Sequence, residues 1–131
     1  MMREIYEFLN EAGTYYLGTL NNGKVDIRPF GTINIYNDKL YIQTGKVKDV
    51  YKQMIENPEI FICAMNRGKW IRISARAIED DTLEAAIDMM NNYPSLQGMY
   101  KAGDGNCTVF YLEDIKARIS SFTEEDKIIN L

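Results

Sequence analysis

The chain has 131 residues, 46% of them hydrophobic and 26% charged, with a formal net charge of −4 and no histidine. That length suits one domain over residues 1–131 with a sizeable core, and the missing imidazole excludes Ser-His-Asp and Cys-His nucleophiles and histidine-held zinc or haem, so that difficult chemistry falls to a cofactor. No apolar run approaches the ~20 residues that a bilayer crossing needs, and Met1–Asn10 carries acids and no apolar h-region, which points to the cytoplasm and away from a membrane partner.

Met2–Ala12 predicts a helix, with Ile5, Phe8, Leu9 and Ala12 on one stripe and Gly13 ending it. Thr14–Leu20 predicts a strand, and Asn21-Asn22-Gly23-Lys24 turns it into a hairpin. Gly18 in mid-strand marks a bulge or a close backbone approach.

The second strand, Val25–Tyr36, alternates. Val25, Ile27, Ile33 and Ile35 share a face read as core; Asp26, Arg28, Phe30, Thr32 and Asn34 share the other, an odd mixture for a plainly solvated surface. Pro29 demands an edge or a bulge. The break beside Arg28 and Phe30 either frees main-chain groups for a ligand or simply turns a barrel corner. Asn37-Asp38 makes the next turn, and Leu40–Thr44 returns with Leu40 and Ile42 inward and Tyr41 and Gln43 opposite.

Thr44-Gly45-Lys46-Val47-Lys48 then opens a helix over Val47–Asn57, with Val47, Val50, Tyr51, Met54 and Ile55 apolar and Asn57-Pro58 as the stop. Helix starts attract anions. Lys46 and Lys48, with Arg28 in reach from the neighbouring strand, suggest a phosphate site; two solvated lysines on a glycine turn is the plainer alternative. A P-loop is excluded, because Leu40 stands where it needs glycine and Val47 where it needs Ser or Thr.

Glu59–Met65 is apolar on both faces and predicts a central strand, with Cys63 as a small core residue. Asn66–Lys69 is a hairpin turn. Trp70–Ile78 alternates again: Ile71, Ile73, Ala75 and Ala77 point one way, and Trp70, Arg72, Ser74 and Arg76 the other. An indole beside guanidiniums suits a flat anionic ligand or a partner chain, as well as a solvent face. Asp81-Thr82-Leu83-Glu84 has capping-box spacing and opens a helix with Leu83, Ala86, Ile87 and Met90 on one face, ending near Tyr93-Pro94. Ser95–Lys101 predicts a short helical turn. Gly103–Asn106 is a loop without calcium-ligand spacing, and Cys63 and Cys107 have no metal-ligand spacing. Thr108–Leu112 and Lys116–Phe122 are the last strands, joined at Glu113-Asp114, followed by a charged tail. About seven short, hairpin-linked strands with three helices predict a mainly β, antiparallel, Greek-key-like protein, a small closed or split barrel rather than a doubly wound sheet.

Charge is unevenly placed. Residues 24–76 hold ten Lys/Arg and five Asp/Glu, and the remainder holds five and fourteen. A basic middle in an acidic chain fits a small anionic ligand. It argues against nucleic acid, whose binding modules are basic overall, although Phe30 and Trp70 are the types that stack on single-stranded bases.

The order of Arg28-Pro29-Phe30-Gly31-Thr32, then Leu40-Tyr41-Ile42-Gln43-Thr44-Gly45-Lys46-Val47-Lys48, then Trp70 resembles the pyridoxamine 5′-phosphate oxidase-like family of FMN-binding split barrels over roughly Ile5–Phe122. The resemblance implies a homodimer with FMN at the subunit interface, and a small-molecule electron donor, NAD(P)H, and acceptor. By position, Arg28 and Lys48 would hold the phosphate with Lys46 and Thr44 assisting. Pro29, Phe30, Gly31, Thr32 and Gln43 would line the flavin, and Trp70 of the opposite subunit would close the site. Departures are the missing histidine and the short C-terminal part, which count against vitamin B6 oxidation, and Ile33 where a second-strand lysine is expected. A deazaflavin in place of FMN, and a flavin-binding sensing or stress-response module without turnover, are the alternatives.

Overall fold

A computed structural model describes residues 1–131. Helix α1 (Met2–Ala12) leads into β1 (Tyr15–Asn21), β2 (Lys24–Phe30), β3 (Asn34–Tyr36) and β4 (Lys39–Gly45). Helix α2 (Asp49–Glu56) separates these from β5 (Glu59–Asn66) and β6 (Lys69–Asp80). Helix α3 (Leu83–Asn92) and a 3-10 turn (Pro94–Gly98) precede β7 (Cys107–Ser121) and β8 (Lys127–Asn130). All pairings are antiparallel, in the order β2-β1-β5-β6-β7-β4-β3, with β8 added to β7. The sheet curls without closing. Its two end strands, β2 and β3, are consecutive in the chain, so Gly31–Ile33 carries the backbone from one edge of the split to the other.

Three hairpin turns follow from their residues. Asn22-Gly23, Asn37-Asp38 and Arg67-Gly68 all take positive φ, as two-residue turns between right-twisted strands require. The inner face buries Ile5 and Leu9 of α1 against Leu17, Leu40, Ile42, Ile71, Ile73 and Phe110. Each such aliphatic side chain contributes roughly 1.5–3 kcal/mol by leaving water. A second cluster packs Ala85, Met89 and Met90 of α3 on Tyr41, Val109 and Tyr100.

The architecture is the expected split barrel with three helices, but several local expectations are corrected. There are eight strands rather than about seven. Val25–Tyr36 is two strands, interrupted at Gly31–Ile33. Thr108–Leu112 and Lys116–Phe122 are one strand, continuous through Asp114, whose φ of 52° absorbs a bulge against β6 between Ser74 and Arg76. The tail is not merely solvated: β8 pairs with β7 and buries Ile129.

Faces also differ. Val25 and Ile27 alternate as expected but are 59% and 67% exposed. Edge strand β2 instead turns Arg28 and Asp26 inward under α2, where Thr19 and Gln53 satisfy them. Cys63 is exposed, because β5 buries only one face. The second helix starts at Asp49, leaving Val47 exposed, and Ile55 is exposed too. In α3 the buried stripe is Ala85, Ala86, Met89 and Met90, with Leu83 and Ile87 outside. Thr82, not Asp81, caps that helix, accepting from the Ala85 amide.

Candidate functional site

The break between β2 and β3 is held open by side chains rather than by a ladder. The Tyr15 hydroxyl donates to the Thr32 carbonyl at 2.6 Å. The Gln43 amide donates to Thr32 Oγ1 at 3.0 Å. Tyr93, just past α3, accepts from the Ile33 amide and donates to the Ile33 carbonyl, both at 2.9 Å. Burial pushes the Tyr15 and Tyr93 phenols above the usual tyrosine range, so both stay neutral hydrogen-bonding groups.

Beside this break lies a cavity of about 310 Å³. One wall is Pro29, Phe30, Gly31 and Thr32. A second is Gln43, Thr44 and Lys48. The third comes from Tyr93, Ser95, Leu96, Met99 and Tyr100. Gly45 sets how closely the third wall approaches: a Cβ there would lie 2.9 Å from the Tyr100 ring and 3.0 Å from Asn106 Oδ1. The Lys48 ammonium stands 6.0 Å from the centre of the Tyr100 ring, a favourable cation–aromatic arrangement.

The cavity chemistry is amphipathic. Phe30, Leu96 and Met99 offer apolar surface. Gln43 donates to the Thr44 carbonyl and lies 3.9 Å from the Cys107 sulfur, and its side-chain oxygen takes no bond from the chain. The Thr44 hydroxyl oxygen is enclosed and unpartnered. Lys48, exposed at the start of α2, makes no ion pair. Burial raises the Cys107 thiol pKa, so that sulfur is a neutral packing atom.

Seven of the ten residues singled out in the sequence therefore line one cavity: Pro29, Phe30, Gly31, Thr32, Gln43, Thr44 and Lys48. Three stand elsewhere. Arg28 lies under α2, donating to the Leu17 carbonyl at 3.2 Å, Thr19 Oγ1 at 2.8 Å and Gln53 Oε1 at 2.9 Å. Desolvation there lowers its pKa against the pull of Asp26 and Asp49. Lys46 is paired with Asp81 at 2.8 Å, which raises its pKa. Trp70 stands at the β5–β6 hairpin, its ring 5.1 Å from Phe122. Sequence reasoning missed the third wall. Tyr93-Pro94 read only as a helix end, and nothing in the local pattern ties a phenol there to a strand break 60 positions earlier.

No protein-family model and no curated protein matches the chain. Solved structures do match. A NimC/NimA family protein of Clostridium acetobutylicum is 37% identical, with a TM-score of 0.96 over 99% of this chain and 92% of that one. General stress protein 26 of Bacillus anthracis has a TM-score of 0.78 at 16% identity, over 99% of this chain and 98% of that one. A pyridoxamine 5′-phosphate oxidase-related, FMN-binding protein of Nostoc punctiforme has a TM-score of 0.65 at 16% identity, over 98% and 95%. The last two share the fold alone. No helix is long and apolar enough to cross a membrane.

Proposed function

The chain belongs to the NimC/NimA family of pyridoxamine 5′-phosphate oxidase-like proteins, and from that premise we propose that residues 1–131 form a single-domain, cytoplasmic, homodimeric FMN-binding flavoprotein, working as an NAD(P)H-dependent oxidoreductase of a small acceptor. The observation that carries this reading is the cavity at the strand break. It joins a cation at a helix start to a hydrogen-bonding wall and an apolar wall, which is the donor set that a phosphorylated, flat heteroaromatic ring needs. The description of the Nostoc protein as FMN-binding supports the same ligand class.

In this reading Lys48 and the first amides of α2 hold the phosphate. Gln43 and Thr44 meet the polar edge of the ring, while Phe30, Leu96 and Met99 cover its faces and exclude water. Bound FMN supplies the electron-transfer chemistry. The chain's part is binding and orientation. The cavity has no histidine or carboxylate to act as acid or base, and Tyr93 is committed to Ile33.

Dimerisation has its own support. Tyr16, Val25, Ile27, Phe61, Met65 and Ile128 are all exposed, on the outer face of β1, β2, β5 and β8. A groove of about 780 Å³ runs over this face. Exposed apolar side chains gathered on one face are the kind of surface that a second copy would cover, and a two-fold pairing would make it self-complementary.

The test is an absorbance spectrum of purified protein before and after FMN is added and removed by desalting. Retained visible flavin bands at about one per chain are expected; a protein that takes up no FMN overturns the reading. NADH and NADPH oxidation with a quinone or nitroaromatic acceptor then decides turnover. A rate no greater than that of free FMN leaves a binding module without catalysis.

A further inference from the structure

The loop over residues 101–106, which joins the third wall of the cavity to β7, is knit by one carboxylate. Asp104 Oδ2 accepts from the Lys101 amide at 2.9 Å. Its Oδ1 accepts from the Asn106 amide at 2.8 Å and the Cys107 amide at 2.7 Å. Gly103 and Gly105, at φ 79° and 82°, let the backbone fold around that side chain. The bonds from the amides of Lys101, Cys107 and Asn106 hold the Asp104 carboxyl below its usual pKa, so it is ionised at neutral pH. One side chain thus anchors the loop at both ends: at Lys101, next to Tyr100 in the cavity wall, and at Asn106.

Asn106 in turn reaches the segment that bears Lys48. Beyond the last β4–β7 pair, Gly45 opposite Cys107, the Asn106 carbonyl accepts from the Lys46 amide at 2.8 Å. Its side-chain Oδ1 accepts from the Val47 amide at 3.2 Å. The Lys48 amide then closes on the Gly45 carbonyl at 3.1 Å. No side chain caps α2. Apart from the Lys46–Asp81 pair, Asn106 supplies the only side-chain bond to this turn, where Val47 is 74% exposed. Gly45 permits the approach, because the Tyr100 ring and Asn106 Oδ1 close over the space that its side chain would fill.

We propose that Asn106, braced by Asp104, is a positioning residue: through the Val47 amide it presets the turn that carries Lys48, and so sets the preference of the cavity for a phosphorylated over an unphosphorylated flavin. This rests on the FMN-binding reading above. A lysine ammonium is a point charge on a flexible stem, so its use to a phosphate depends on where its backbone is held. Without the Oδ1 bond, the exposed Val47 amide finds water and the fold loses little. The turn must then be ordered when the phosphate arrives, and that cost is subtracted from binding. Riboflavin has no phosphate and does not draw on the turn.

The experiment titrates FMN and riboflavin into wild type, Asn106→Ala, Lys48→Ala and the double variant, with thermal unfolding of each. Asn106→Ala is expected to weaken FMN about fivefold, with riboflavin affinity and the unfolding midpoint near wild type. Added to Lys48→Ala, it is expected to cost FMN little more, because the lysine through which Asn106 acts is gone. Equal losses for FMN and riboflavin would make Asn106 a general support of the cavity. The full FMN loss on top of Lys48→Ala would make it act without that lysine. Either result overturns the proposal, as does wild-type FMN affinity in Asn106→Ala. If Asn106→Ala does not fold, Asp104→Asn carries the test: it keeps a carbonyl oxygen for the Asn106 and Cys107 amides and gives up the Lys101 contact. A smaller loss confined to FMN is expected there, and no loss overturns the proposal. A wild type that binds no FMN overturns the underlying reading, and this proposal with it.

Discussion

The phenolic oxygen of Tyr93 lies 2.9 Å from both the amide nitrogen and the carbonyl oxygen of Ile33, accepting from one and donating to the other. One side chain thus does at the split what a neighbouring strand does elsewhere in the sheet. Tyr93→Phe leaves both partly buried backbone groups unpaired, at a cost of about 1–3 kcal/mol for an unsatisfied group. Urea unfolding is expected to show that loss, and FMN titration a weaker complex, because the cavity wall loosens. Unchanged stability would mean that water replaces the hydroxyl.

Lys48→Ala is expected to reduce FMN affinity about tenfold or more, consistent with charge-assisted binding of an anion, while leaving riboflavin binding intact. Lys46→Ala is expected to do less, since Asp81 already holds that ammonium. Equal effects of the two would show that the Lys46–Asp81 pair opens in the complex.

Gly45→Ala places a methyl group 2.9 Å from the Tyr100 ring. Overpacking of this kind costs about 1–3 kcal/mol. A Tyr100→Ala change in the same chain is expected to recover part of the loss by removing the obstruction, which thermal unfolding of the single and double variants measures.

Ile27→Glu buries a charge in the proposed dimer face while leaving the core untouched. A monomer by light scattering, folded by circular dichroism, is the expected outcome, and FMN binding is expected to weaken with it. A dimeric Ile27→Glu protein would move the interface elsewhere.

Alkaline pH is expected to destabilise the fold. Burial raises the pKa of Tyr15, Tyr41, Tyr51 and Tyr93. As pH rises past about 10 these phenols ionise in the unfolded chain before they do so in the folded one. The folded state then binds more protons, so stability falls as pH rises. Urea midpoints between pH 8 and 11 check the slope, and Tyr41→Phe should flatten it.

What the sequence revealed depended on whether the controlling interaction was local. The hairpins were legible at Asn22-Gly23 and Arg67-Gly68, because turn chemistry is a property of adjacent residues. The alternation of Val25 and Ile27 was equally legible, but its direction was not. Period two says which residues share a side, and only the docking of α2 and the strand's edge position decide which side is inner. The candidate cavity divides in the same way. Phe30–Thr32 with Gln43–Lys48 stood out as a mixed-chemistry stretch, whereas Arg28 and Lys46 found partners in Gln53 and Asp81 that only the folded chain brings near. The third wall, Tyr93 to Tyr100, is wholly tertiary.

The long strand β7 has a consequence for the order of folding. The pairs β1–β2, β3–β4 and β5–β6 are hairpins between chain neighbours, but β4 waits for β7, with Leu40 opposite Leu112 and Thr44 opposite Thr108. Such non-local pairing closes late and slowly. The wall bearing Gln43 and Thr44 is thus fixed only when the last third of the chain has docked. A ligand that needs this wall arrives after the rate-limiting step, so FMN is expected to slow unfolding and leave the refolding rate unchanged.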